Sequence, residues 1–176
     1  MSRPNALTDV WAHGTSIQYN QKEADLGKID VSYTPSGIEL MRIISNRGKE
    51  VLPKSVINLF LPITIPTRIS DAVQHLEGLK IHFTTEDSKA KIIDLRLLKN
   101  DSQVFNLTGS VTLNGITGDF MENGLEFDSN SSLFSSLCLQ FVIEFEEGTY
   151  EKDKIKSVII ASAKIVSKQK KFDYDN

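Results

Sequence analysis

The side chains best equipped for chemistry are the histidines His13, His75 and His82, and a single cysteine, Cys138. No two of the histidines stand at H-x-H or H-x-x-x-H spacing, and one cysteine cannot build a zinc ribbon or finger. The sequence names no metal ligand and implies no cofactor. Cys138 alternates in phase against Leu137, Leu139 and Phe141. Its apolar neighbours predict an inert thiol, because a nucleophile needs an electropositive setting and a base. No G-x-S-x-G elbow, Walker-type glycine loop or dinucleotide fingerprint occurs. The acidic pairs Glu86-Asp87 and Glu146-Glu147 fall in expected hairpin loops, without the alternating Asp/Asn offsets of a calcium loop. No catalytic residue can be nominated, and the expectation is a protein that is not an enzyme.

Aromatic rings are the other route to function, since an amphipathic ring can stack on a ligand and keep a polar edge in water. Trp11, Tyr19, Tyr33 and Tyr150 are the available platforms, with core packing the simpler account of Trp11. His13, between Trp11 and Gly14, has two readings: a bond to a backbone group at a bulge, or contact with a ligand. His82 falls on the polar face of its strand and reads as solvated or edge-bonded. The candidate ligand-binding residues are Trp11, His13, Tyr33 and Tyr150.

The elements that must carry these residues are extended. Leu137, Leu139, Phe141, Ile143 and Phe145 recur at period two, as do Ile57, Leu59, Leu61, Ile63 and Ile65. Leu79, Ile81 and Phe83 alternate with Lys80, His82 and Thr84, and Ile93, Leu95 and Leu97 follow with the same period. These last two runs, joined near Glu86–Lys89, predict a hairpin at the centre of a sheet. Pro62 and Pro66 cannot donate ladder hydrogen bonds, which predicts a sheet edge or a crossing between sheets for their segment. Residues 10–19 read as two short strand halves broken by Gly14, a glycine that marks a bulge or a close backbone approach. A helical turn fits residues 71–76, and residues 20–30 read as a loop with room for another. Glu147–Lys154 reads as a solvated loop. Ile155–Val166 reads as the last strand, with Ile159, Ala161, Ala163 and Ile165 on one face.

About 8–10 short strands separated by turn signals predict an all-β, antiparallel β-sandwich, jelly-roll-like or immunoglobulin-like. The 176 residues fit a single domain over 10–166, between flexible segments 1–9 and 167–176. A chain of this size buries roughly two thirds of its unfolded surface and needs no disulfide to fold. With 40% apolar and 24% charged residues and a net charge of −3, it has no electrostatic footprint for nucleic acid or an anionic membrane. No apolar run of about 18 residues predicts a membrane span, and the opening residues lack the apolar core of a signal peptide. Synthesis in the cytoplasm is expected, with leaderless export an open alternative.

Trp11-Ala-His-Gly-Thr-Ser-Ile17 resembles the W-x-H-G-x-[SA]-[VI] opening of a family of small bacterial β-sandwich proteins. Leu61-Pro-Ile-Thr-Ile-Pro-Thr-Arg68 is similar to that family's central segment, and Phe105-Asn-Leu-Thr-Gly109 to its short L-x-L-[ST]-G element. Here the family's aromatic position is Phe60, and its histidine position is Pro62. The resemblance implies a sandwich fold and carries no established activity. The expected function is binding or assembly through edge strands or loops, with a protein partner or a second copy. The alternative is a carbohydrate-binding module using the aromatic candidates, and a sandwich-fold hydrolase comes third.

Overall fold

The computed structural model describes residues 7–45, 48–64, 68–69, 72–85, 89–99, 103–106, 121–126, 136–155 and 157–169. In chain order the strands are β1 Leu7–His13, β2 Gln18–Tyr19, β3 Ile29–Thr34, β4 Gly37–Arg42, β5 Lys49–Leu52, β6 Ser55–Thr64 and β7 Arg68–Ile69. They continue with β8 Ala72–Thr85, β9 Ala90–Lys99, β10 Gln103–Asn106, β11 Met121–Glu126, β12 Ser136–Phe145, β13 Gly148–Glu151 and β14 Val158–Gln169. The helix α1, Gln21–Gly27, follows β2. Asn20 caps its first turn by accepting Lys22 N–H, and Lys28 ends it at φ 49°.

One sheet runs β11-β8-β14-β4-β3, with β1 also on β14 and β7 on β8; the other runs β10-β9-β12-β6-β2. A separate ribbon joins β5 to β13. The pairings nest: β4 with β14, β6 with β12, β8 with β11, β9 with β10. Nested antiparallel pairs that alternate between two sheets are a rolled-up hairpin, so the sandwich is of the jelly-roll kind. The core lies between the sheets, where period-two alternation sends every second side chain inward. Leu137, Leu139, Phe141, Ile143 and Phe145 of β12 meet Leu79, Ile81 and Phe83 of β8, Ile38 and Leu40 of β4, and Ile160 and Ile165 of β14 in one buried cluster.

The strands number fourteen among the described residues, more than the 8–10 expected, because short pairings such as β2, β5 and β13 carry no periodic signal. The expected hairpin of residues 79–98 does not form. β8 pairs with β14 and β11, whereas β9 pairs with β12 and β10 in the opposite sheet. Their apolar rows face each other across the core instead of lying side by side. Residues 72–76 extend β8, not a helical turn, and the helix forms at Gln21–Gly27.

β6 is paired on both sides, by β12 along its length and by β2 at Leu59 and Phe60. The Asn58 N–H points away from β12, toward Glu23, so alternation turns Pro62 away from β12 as well. Its missing N–H therefore costs the ladder nothing, and Pro66 lies outside the described residues. Glu147–Lys154 contains β13 rather than being only a loop.

Two register shifts change the expected faces. One on β9 puts Ile92, in place of Ile93, in the core with Leu95 and Leu97. The other, at Ala161 of β14, puts Val158 and Ile160 inward and then Ala163 and Ile165.

Candidate functional site

The predicted site residues divide among three places. Trp11 and His13 lie on β1, which pairs with the second half of β14 in the register Asp9↔Val166, Trp11↔Lys164 and His13↔Ser162. Val10 and Ala12 pack against the core, so the residues between them face outward. Trp11 is 50% exposed, which corrects the expectation of core packing.

Behind this strand is a close approach of backbones. A Cβ at Gly14 would run into the Ile160 carbonyl oxygen and lie 2.9 Å from that of Ala161 and 3.0 Å from Gly37 Cα. Gly37 presses on the same Ile160 oxygen at φ +129°. The two glycines let the ends of β1 and β4 meet at the β14 bulge. The expectation of a close approach at Gly14 holds.

His13 Nδ1 accepts the Thr15 N–H at 3.2 Å and caps the short 3-10 turn Gly14–Ser16. Its first reading, a bond to a backbone group, is therefore realised, and the residue is exposed. That turn carries the chain from one sheet to the other, because β2 belongs to the sheet of β6.

On the outer face Trp11 gathers polar groups from three strands. Its ring meets His82 of β8 edge-on, centroids 5.2 Å apart, diagonally across β14. Lys164 Nζ stands 5.0 Å from the ring centroid and pairs with Asp9 Oδ2 at 3.0 Å. Lys80 lies beside Lys164 in register, and Ser162 between His13 and His82. The result is an outward indole on the sheet face with imidazole, ammonium, carboxylate and hydroxyl groups near it. Sequence reasoning missed Asp9, Lys80, His82, Ser162 and Lys164 as its companions. Alternation marks them as outward, but the cross-strand register that unites them spans most of the chain.

Tyr33 sits on the edge strand β3, 52% exposed, and its hydroxyl donates to the Ile17 carbonyl at 2.8 Å. Partial burial, and then the nearby Tyr19 phenol, push its pKa above the ordinary tyrosine value.

Tyr150 is a correction. At 4% exposure, with its hydroxyl donating to the Glu146 carbonyl, it offers no face to a ligand. Lys89 Nζ stands 4.6 Å from its ring centroid, and the Arg42 guanidinium is 5.2 Å from the rings of both Tyr150 and Phe145. Arg42 is itself 3% exposed and donates to the Gly27 and Pro53 carbonyls, tying the end of α1 to the approach to β6. This cluster is structural.

Burial pushes the Cys138 thiol above its ordinary value, as an inert cysteine requires. Among the described residues no three His, Cys, Asp or Glu side chains come together as metal ligands. No helix among them is long and apolar enough to cross a membrane.

No family model matches the sequence, and no curated protein matches it. Solved structures that resemble the chain do so at low identity and low TM-score. The isomalto-dextranase of Arthrobacter globiformis has a TM-score of 0.44 at 10% identity; 89% of this chain aligns with 23% of that enzyme. A low-affinity xylan-binding module from Roseburia intestinalis has a TM-score of 0.39 at 8% identity, covering 90% of this chain and 94% of the module. A family 29 carbohydrate-binding module from Piromyces equi has a TM-score of 0.34 at 14% identity, covering 92% and 91%. The chain thus spans about a quarter of the enzyme and nearly the whole of each module. Likeness of this degree carries no argument about fold or ligands.

Proposed function

We propose that the chain is a glycan-binding module without catalytic activity of its own, and that the outer face around Trp11 holds the sugar. The observation that carries this reading is the half-exposed indole of Trp11 on an outer sheet face, with His82 and Lys164 against its ring, Asp9 paired to Lys164, and Lys80 next in register. A pyranose offers an apolar C–H face and a rim of hydroxyls. An indole meets the first, and charged or amide-like groups at the ring's edge meet the second. The β-sheet holds these groups in place before the ligand arrives, which lowers the ordering cost of binding.

Trp11 is the only tryptophan, so its emission reports this surface alone. Titration with a panel of polysaccharides should quench or shift the emission for at least one member. Trp11→Ala should weaken that binding at least tenfold, about 1.4 kcal/mol, with the fold intact. A flat response across the panel, or full binding by Trp11→Ala, overturns the reading.

A second reading, association through sheet edges, draws on β3, which pairs with β4 alone among the described strands. Light scattering from micromolar to millimolar concentration decides it, since a monomer throughout is incompatible with self-association.

A further inference from the structure

β2 and β3 are the end strands of their sheets, and on this side α1 bridges the seam between the sheets, packing on both β3 and β6. Tyr19 on β2 and Tyr33 on β3 stand on these end strands, and both phenols are already oriented. Tyr33 donates to the Ile17 carbonyl at 2.8 Å, and Tyr19 donates to Gln21 Oε1 at 2.9 Å. Gln21 in turn donates from Nε2 to Asp25 Oδ1 at 2.8 Å, so an amide and a carboxylate on α1 are linked to the Tyr19 phenol.

The backbone adds a further set of groups. The Lys28 carbonyl accepts the Ile43 N–H at 2.7 Å, which turns Lys28 toward β4. Strand alternation then turns Asp30, Ser32 and Thr34 the same way, and leaves the N–H and C=O groups of Ile29, Val31 and Tyr33 on the outer edge.

Tyr33 ends the inward row that Ile29 and Val31 begin on β3. It is in register with Ile38, a fully buried residue, yet it overhangs the seam at 52% exposure. A ring kept half in water while its hydroxyl is anchored is a stacking surface of fixed orientation.

We propose that this seam is a second saccharide site, distinct from the Trp11 face. It takes the end of a neutral oligosaccharide, with the Tyr33 ring as the stacking surface and Gln21, Asp25 and the β3 edge as hydrogen-bonding groups. Neutrality follows from Asp25, whose carboxylate disfavours a uronate or sulfate at this site. The inference rests on the reading of the chain as glycan-binding but not on Trp11 as the contact. Two sites on one small module would let a single polysaccharide chain, or two, be held with an avidity neither site has alone.

The test uses the full chain labelled with ¹⁵N and titrated with xylohexaose, cellohexaose and maltohexaose, in the parent and in Trp11→Ala, Tyr33→Ala and Tyr33→Phe. In Trp11→Ala one of these sugars should still shift the backbone amides of residues 18–25 and 31–34. That response should be lost in Tyr33→Ala and weakened several-fold in Tyr33→Phe, which keeps the ring and frees it from Ile17. Matching melting temperatures establish that the variants are folded. Shifts confined to the amides around Trp11 overturn the second site and leave the first standing. Shifts nowhere, in any variant, overturn both. Seam shifts that persist in Tyr33→Ala overturn the stacking role.

Discussion

Replacing Gly14 by alanine tests whether the close approach at the β14 bulge is what holds β1, and with it the Trp11 face. The added Cβ collides with the Ile160 carbonyl oxygen and lies 2.9 Å from the Ala161 oxygen and 3.0 Å from Gly37 Cα. All three obstacles are backbone, so no side chain can swing aside. Overpacking costs about 1–3 kcal/mol, and rigid obstacles place this substitution near ~3 kcal/mol. For a chain of 176 residues each kcal/mol is worth about 2–4 °C, so the melting temperature should fall by roughly 6–12 °C. The collision is relieved only by lifting β1 from β14, which draws the indole away from His82 and should move Trp11 emission to longer wavelength. Gly48→Ala is the control: its Cβ meets nothing within 4 Å, while its φ of +121° strains any side chain. It should lower stability through backbone strain alone and leave the emission unchanged. Differential scanning calorimetry and the emission spectrum decide the matter. If Gly14→Ala melts within a degree or so of the parent with unaltered emission, the close approach does not position β1.

Arg42→Met removes both donors to the Gly27 and Pro53 carbonyls while keeping the side chain's bulk. The buried Gly27 acceptor left unpaired costs about 1–3 kcal/mol, and the half-buried bond to Pro53 is lost with it, so urea unfolding should show a lower midpoint; an unchanged midpoint refutes the clamp. Glu144 has its carboxyl held below the usual range, first by the bond from Lys54 at 2.7 Å and then by Lys91 at 3.3 Å. A depressed folded-state pKa contributes stability that is present above the unfolded value and lost as pH falls through the folded one. Melting temperatures should therefore drop below about pH 4.5 less steeply in Glu144→Gln than in the parent, and parallel acid curves would contradict this. Cys138, its thiol pushed up by burial, should react with iodoacetamide at pH 8 far more slowly in the folded chain than in guanidinium. Equal rates would show the thiol to be accessible and ordinary.

The sandwich was legible because its inward residues keep period two over long stretches. Leu137 to Phe145 and Leu79 to Phe83 point where their spacing says they must. Which strand each one pairs with was not legible. Alternation defines a face but no partner, so β8 and β9 read as a hairpin although they belong to opposite sheets. The register shifts at Ile93 and Ala161 hide from periodicity for a related reason, since one extra residue inverts every face beyond it. Residues 20–30 read as a loop with room for a helical turn, and α1 forms there with Asn20 as its cap, whereas the turn expected at 71–76 is strand over 72–76. At the candidate site, Trp11 and His13 could be named from residue type. Their companions arrive from β8 and β14, and Tyr150 is withdrawn by Arg42 and Lys89 packing on its ring.

The pairing of β1 with β14 also bears on the order of folding. Asp9 and Lys164, joined by an ion pair, are 155 residues apart in the chain. β14 must leave the ribosome before β1 finds its neighbour, so the strand bearing Trp11 is translated well before it can dock. Contacts of such sequence separation close slowly, because the loop entropy is lost before any contact repays it. Until then β1 is a strand with a single unfilled berth, and the equivalent berth on a second nascent copy has the same shape. The Trp11 face thus matures only once β14 is made, and it is a point at which two chains on one message could exchange strands.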